Sequence, residues 1–426
     1  MSRATLVNDV GEWLVDQALS EPDIVEMFEN LCHRLYGIGV PIARARLTWP
    51  TLHPLFGAET ILWKSGKEIE FEQFRHQDDV SESWQRSPMA YMFENGVAEM
   101  RRNLDGPNKM VDFDILQDMI DEGMTDYLIV ITSFDGKKLE RGLPETKYSR
   151  RVSGLILTWA CDRPGGFTDD DIVALKQIQR RFAVAVKTVI QRRISANITE
   201  TYLGRQAGLQ VLDGKIKLGD GQQTEAVVWY SDMRNSTALA DTMAAEDFIK
   251  LLNEYFSCTA APAIELGGEV LDFIGDAVLA IFPYEGEDGK HQAIRCATMA
   301  MEMALDCLER SDERRKSEGL QPFDFGIAIN AGVLTFGNIG VDQRLSFSVI
   351  GPTINEATRI EALTKSVDSK ALVSREITET EPERWTSAGL FRLNGVAHEC
   401  ELFVPRGKAD AMKVPHQSDL PRVSVN

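Results

Sequence analysis

The chain has 426 residues, of which 43% are hydrophobic and 26% charged, a globular composition with room for two or three domains that excludes collagen-like, low-complexity and wholly disordered classes. Sixty-five acidic residues against 46 basic ones give a net charge of −19, and the sequence shows no local basic patch, so binding of nucleic acid is not expected. No apolar run approaches the ~18–20 residues of a membrane span. Residues 1–22 carry Asp9, Glu12, Asp16 and Glu21 rather than the basic-then-apolar plan of a signal peptide. Six cysteines lie scattered without a C-x-x-C pair, and six histidines show no ligand spacing. These features predict a cytoplasmic chain with reduced thiols and no membrane span.

In chain order, a helical pattern at Ile24, Met27, Phe28, Leu31 and Leu35 precedes strand-like runs at 43–48, 59–63, 69–74, 127–133 and 154–158. Ser65-Gly66 supplies a hairpin turn between the second and third runs. This α+β order resembles a GAF-like sensory domain over residues 1–167. Thr168 is a good helix N-cap, followed by Asp169, Asp170 and Asp171 at the positive end of the helix dipole. Leu175, Ile178, Phe182, Ala185 and Val189 then recur at 3-4-3-4 spacing, which suits either a short coiled-coil seam or packing onto the first domain's sheet. Five glycines between 204 and 221 predict a connector, so a signalling helix and linker are assigned to 168–223.

The second half reads strand (226–231), helix (245–266), two strands around Gly275-Asp276, a long helix (291–317), strands 323–330, 333–338 and 345–350, then a helix at 352–363. The βαββαβ order predicts a ferredoxin-like α+β sheet with its helices on one side. A polar tail follows at 408–426.

Chemistry concentrates at three places in this half. Strand 227–231 ends at Asp232, followed by the polar turn Met233, Arg234, Asn235, Ser236 and Thr237. A carboxylate there either caps the next helix or binds a metal while turn N–H groups face phosphate oxygens. Gly275-Asp276 joins two strands, so Asp276 is either an ordinary hairpin residue or, beside the first strand's end, half of a hard-oxygen pair with Asp232 suited to Mg²⁺. On the helix after Pro352, Asn355 and Arg359 stand at i,i+4 and share one face. They are either solvated polar residues or a pair that orients a ribose and neutralises phosphoryl charge.

Together these segments, with 325–332, 337–340 and 346–361, resemble a class III nucleotidyl cyclase catalytic domain over residues 224–407. The resemblance implies that Asp232, Asp276 and the Met233 carbonyl hold two Mg²⁺ or Mn²⁺ ions on a purine nucleoside triphosphate. It further implies that Asn355 places the ribose and Arg359 stabilises the transition state. Metal carboxylates and the Asn/Arg pair come from different protomers in the family, which implies a homodimer. The N-terminal half would respond to an unidentified ligand or protein.

Several positions depart from the family pattern. Adenine reading usually involves Lys and Asp, Thr or Ser, where this chain has Asp272 and Ser348; a carboxylate matches guanine's N1–H and N2–H₂ donors better. The family's bacterial members are mostly adenylate cyclases, so ATP is the expected substrate, with GTP the alternative and a pyrimidine nucleotide a narrower one. Asn235-Ser236 replace the usual Gly-Phe, and Asn394 stands where a phosphate-binding Lys is usual, with Arg392 a possible substitute. These departures keep open a catalytically weak nucleotide-binding regulator; nothing independent signals a pure scaffold.

Overall fold

The computed structural model describes residues 2–406, apart from positions 21, 77–81, 137–138, 140–153, 216, 220, 342, 368 and 397. The tail expected at 408–426 lies outside the described residues. The chain divides into two compact units, Met1–Thr201 and Tyr202–Asn426.

The first unit runs α1 (Arg3–Leu19), α2 (Ile24–Gly37), β1 (Arg44–Pro50), β2 (Phe56–Lys64), β3 (Glu70–Arg75), α3 (Glu82–Gln85), α4 (Pro88–Asn95), β4 (Glu99–Asn103), α5 (Asp114–Asp121), β5 (Asp126–Ser133), β6 (Gly154–Cys161) and α6 (Asp169–Leu203). Its strands form an antiparallel sheet in the order β3-β2-β1-β6-β5-β4. Alternation along β1 sends Ala45, Leu47 and Trp49 into a core shared with α1, α2 and α6. On the other face, Tyr127, Ile129 and Ile131 meet residues of α4 and α5. Strand β4 was not anticipated: Glu99–Asn103 is mostly polar and lacks the alternation that betrays a strand.

Thr168 caps α6 as expected, its Oγ1 accepting from Asp171 N–H at 3.2 Å while Asp171 accepts from Thr168 N–H at 2.8 Å. Leu175, Ile178, Phe182 and Ala185 are buried in the first unit's core and Val189 packs against it. The coiled-coil spacing is therefore filled by the helix's own sheet. Farther along, Arg193 pairs with Glu59 of β2 (3.0 Å), whose side chain is only 2% exposed.

The second unit runs α7 (Arg205–Leu212), β7 (Gly221–Met233), α8 (Ser236–Thr242), α9 (Ala245–Glu265), β8 (Glu269–Ile274), β9 (Ala277–Tyr284), α10 (Gly286–Ser317), β10 (Phe325–Val341), β11 (Arg344–Ile350), α11 (Pro352–Leu363), β12 (Ala371–Ser374), α12 (Arg375–Thr378), β13 (Trp385–Phe391) and β14 (Cys400–Pro405). The order β10-β7-β9-β8 reproduces the ferredoxin-like arrangement within a larger sheet extended by β12, β14 and β13. Two expectations need correction. The glycine-rich connector contains the helix α7, and the strands expected at 323–330 and 333–338 are one continuous strand, β10. The two helices of the βαββαβ core share one side as expected, and α11, outside that core, is added on the other. Helices α9 and α10 bury Val227 and Trp229, whereas α11 covers the opposite face over Ala226 and Val228.

The expectation of reduced thiols also fails at one pair, because Cys258 of α9 and Cys307 of α10 are joined by a disulfide with 5.3 Å between Cα atoms. Forty-nine residues separate them, so only the packing of two helices brings them together. Among the described residues no helix is long and apolar enough to cross a membrane.

The Glu59–Arg193 pair supplies a test of how α6 is held. Arg193→Met leaves a buried carboxylate unpaired and should cost about 3 kcal/mol, whereas Glu59→Leu with Arg193→Met should recover most of that loss. Calorimetric unfolding of both variants checks this; equal destabilisation by the single and double changes would contradict it.

Candidate functional site

The second unit's sheet register builds the site. Asp232 pairs with Ala277 in the β7–β9 ladder, which sets it beside Asp276 in the preceding turn. Gly275 holds φ +67° there, a left-handed conformation that glycine adopts without strain. The Asp232 and Asp276 carboxyls lie close enough to interact directly. Burial first, then Asp276's charge, push the Asp232 carboxyl up to about 6, with Lys365 offsetting part of the rise. The Met233 side chain is buried in the core, so only its main chain could contribute to a site here.

On β10, Gly326, Ala328, Asn330 and Gly332 alternate toward α11. A Cβ at Gly332 would stand 2.6 Å from Thr353 Oγ1, and one at Gly326 would overlap the side chains of Glu361 and Thr364. Asn330 Nδ2 donates to the Thr353 carbonyl at 3.1 Å. These small residues let α11 lie directly on the strand. Ile354, Ala357, Ile360 and Glu361 are buried on its inner side, while Asn355 is exposed and Arg359 half-exposed. Arg359 forms no ion pair among the described residues, and its guanidinium lies beside Gly395, where a Cβ would stand 3.5 Å from Nη2. The loop carrying exposed Arg392 and Asn394 thus approaches α11.

In the turn after Asp232, whose main-chain N–H groups were expected to face phosphate, the Arg234 side chain points to other partners: Nη1 pairs with Asp324 at 3.1 Å, and Nη2 donates to Thr364 Oγ1 at 2.7 Å and to the Ser369 carbonyl at 3.3 Å. Asn235 is the only described non-glycine residue with positive φ, at 62°. Asparagine tolerates that conformation better than most non-glycine residues. Ser236 and Thr237 open the short helix α8. Asp272 is exposed on edge strand β8 and Ser348 half-buried on β11. Their chain neighbours Leu271 and Phe347 share one hydrophobic cluster, but no hydrogen bond joins the two among the described residues.

Sequence reasoning missed Glu361, although it falls on the apolar face at i+7 from Ile354 and i+4 from Ala357, where an acid is out of place. It is 5% exposed. Burial and then Asp232's charge push its carboxyl up to about 7. Tyr230, on the same face of β7, is raised to about 12 by burial and the same acids.

The donor chemistry fits a hard divalent cation: two adjacent, half-buried carboxyls repel each other and supply oxygen ligands. Among the described residues no three His, Cys, Asp or Glu side chains form a ready cage. Remaining ligands would therefore be main-chain, water or substrate oxygens.

With pKa values raised on folding, Asp232 and Glu361 stabilise the metal-free fold when protonated. That contribution is complete below about pH 4 and is lost as pH rises through about 6 and about 7. Asp276→Asn should reduce the Asp232 part of this fall and stabilise the metal-free protein by about 1–2 kcal/mol at pH 8. Thermal unfolding across pH tests it, and a profile identical to wild type would contradict the assignment.

Residues 220–393 match the family described as "Adenylate and Guanylate cyclase catalytic domain". The adenylate cyclase of Anabaena cylindrica is 31% identical over 164 residues, which cover 38% of this chain and 32% of that one. An uncharacterized protein of Mycobacterium tuberculosis is 28% identical over 248 residues, covering 57% of this chain and 44% of that one. Among solved structures, the guanylyl cyclase Cya2 is 28% identical, covering 48% of this chain and 98% of that one, with a TM-score of 0.38. The chain thus spans less than half the length of either curated relative. The match extends from the start of β7 to the loop after β13 and includes Asp232, Asp276, Asn355 and Arg359, so this segment, less than half of the chain, is similar to that catalytic-domain family.

Proposed function

We propose that this protein is a nucleotidyl cyclase that converts ATP to 3′,5′-cyclic AMP and pyrophosphate, under control of its N-terminal unit. The observation carrying this reading is the Asp232–Asp276 pair at the sheet end, in the same family-matched segment as Asn355 and Arg359. Asp232, Asp276 and the Met233 carbonyl would hold Mg²⁺ or Mn²⁺, two per site. Such ions supply charge neutralisation on the triphosphate and acidify the ribose 3′-hydroxyl.

The remaining work falls to the chain's own groups. The carboxyl pair fixes where the triphosphate sits. Asn355, exposed on α11, orients the ribose so that the 3′-oxygen lies in line with the α-phosphorus. Arg359 stabilises negative charge as the 3′-O–P bond forms and the bond to the departing pyrophosphate breaks. No covalent enzyme intermediate is needed. Asn355 and Arg359 would act on the nucleotide held by a second copy's carboxyls, giving two equivalent sites in a homodimer. Exposed apolar residues on β8 (Phe273, Ile274) and on the β10–β11 hairpin (Ile339, Val341, Ile350) suit such an interface.

Arg234 is assigned a supporting role, since its guanidinium ties the turn to Asp324 and Thr364. Asn235, Ser236 and Thr237 would present main-chain N–H groups to phosphate, with Arg392 and Asn394 at the far side. The six-stranded sheet between two helical layers supports a GAF-like sensory role for the first unit, toward an unidentified ligand or protein. GTP is the second reading, favoured by Asp272, whose carboxylate accepts from guanine's N1–H and N2–H₂.

Turnover of ATP, GTP, CTP and UTP with Mg²⁺ and with Mn²⁺ tests the proposal. Cyclic AMP and pyrophosphate should form, with Asp276→Ala or Arg359→Ala reducing kcat by about 10²-fold or more. A large kcat/KM preference for GTP would replace the first reading by the second. No cyclic product from any nucleotide would contradict both.

A further inference from the structure

Glu361 is a buried carboxylate to which the proposed reaction assigns no task. It stands on the inner face of α11 directly over Gly326, and Gly326 is the cross-strand partner of Asp232 in the β7–β10 ladder. Any side chain at 326 would overlap Glu361 Oε1 and Thr364 Oγ1, so the glycine keeps open the space that the carboxylate fills. Glu361 is 5% exposed and has no ion-pair partner among the described residues. The nearest cations are directed elsewhere: Arg234 donates to Thr364 Oγ1 at 2.7 Å and pairs with Asp324 at 3.1 Å, while Lys365 is exposed. The groups whose charge reaches Glu361 are Asp232 from β7, Lys365 at the end of its own helix and Arg234 from the turn.

A buried carboxylate without a paired cation is costly, and a neutral residue of the same shape would be the stabler choice. Ligation does not explain it, since Asp232, Asp276 and Glu361 form no three-side-chain metal group. What its position does provide is a third negative charge behind the Asp232 carboxyl, in a setting where charges act with little screening.

We propose that Glu361 is a positioning residue for the cation site: without entering the coordination shell, its carboxylate deepens the potential at Asp232 and Asp276 and raises their affinity for a divalent ion. The inference rests on the nucleotidyl cyclase reading for the identity of the site, but not for its test. Because Glu361 follows Arg359 by two residues, it also fixes α11 against β10 at the level where that arginine is presented. A bound cation relieves the repulsion among the three carboxylates, so metal loading and the seating of α11 become favourable together.

The test uses the full chain at pH 8 without nucleotide, following free Mn²⁺ by electron paramagnetic resonance. Glu361→Gln keeps the shape, and the bond from Thr364 Oγ1 to the main-chain carbonyl of residue 361 is untouched, but the charge is removed. It should weaken Mn²⁺ binding by about tenfold or more while raising the melting temperature of the metal-free protein. Glu361→Asp keeps the charge and should bind Mn²⁺ within about threefold of wild type. In turnover, Glu361→Gln should need correspondingly more Mn²⁺ for half-maximal rate and retain most of its kcat at saturation. Mn²⁺ binding by Glu361→Gln within twofold of wild type would overturn the proposal. So would a Glu361→Gln protein that melts lower or fails to fold, since that marks a purely structural carboxylate. If the Mn²⁺ results hold and wild type forms no cyclic nucleotide, the reaction reading fails while the cation role of Glu361 stands.

Discussion

The second unit is organised around an electrostatic conflict between Asp232 and Asp276. The register of β7 against β9 leaves no freedom to separate them, because Asp232 is locked opposite Ala277 and the turn at Gly275 delivers the neighbouring residue. Burial and the neighbouring Asp276 charge hold the proton on Asp232, and the simplest physical remedy is a small, doubly charged cation. The net charge of −19 sharpens the point. An acidic chain can hold a polyanionic nucleotide only where a local positive field exists, and a cation at this pair, joined in the proposed homodimer by Arg359 of a second copy, would create one.

Helix α11 is the second element on which the site depends, and its two faces have different tasks. The inner face lies on β10 because Gly326 and Gly332 leave room for Glu361, Thr364 and Thr353. The outer face carries Asn355 and Arg359 clear of the core. Small residues on a strand therefore determine where a guanidinium two helical turns from the N-terminus of α11 is presented. Arg234 reinforces the arrangement by bridging the turn after Asp232 to Thr364 beyond the helix end.

Much of this was legible in the sequence where local pattern and local structure coincide. The amphipathic spacing of α9, the glycine-aspartate hairpin and the proline at the first turn of α11 each specify their elements with little help from the rest of the chain. What was not legible depends on partners distant in sequence. Nothing local to Arg234 reveals that its side chain is held by Asp324 and Thr364, 90 and 130 residues away. Cys258 and Cys307 meet only because α9 and α10 pack side by side. The seam-like spacing of α6 fits a partner helix and a sheet equally well, and the sheet of its own unit fills it. Asn235 adopts a left-handed backbone at φ 62°, which a sequence pattern alone does not reveal. Glu361 was the acid hidden in an apolar stripe, visible in the sequence only to a reader who asks why a charge sits there.

The most direct measurement is a ¹³C NMR titration of the full chain labelled at aspartate carboxyls, with the Asp232 resonance identified by its loss in Asp232→Asn. The account predicts that Asp232 titrates near pH 6 in metal-free protein and that saturating Mg²⁺ moves its midpoint below about 4. A midpoint near 4 that Mg²⁺ leaves unchanged would mean that the two carboxyls neither repel nor share a cation, and would contradict the account.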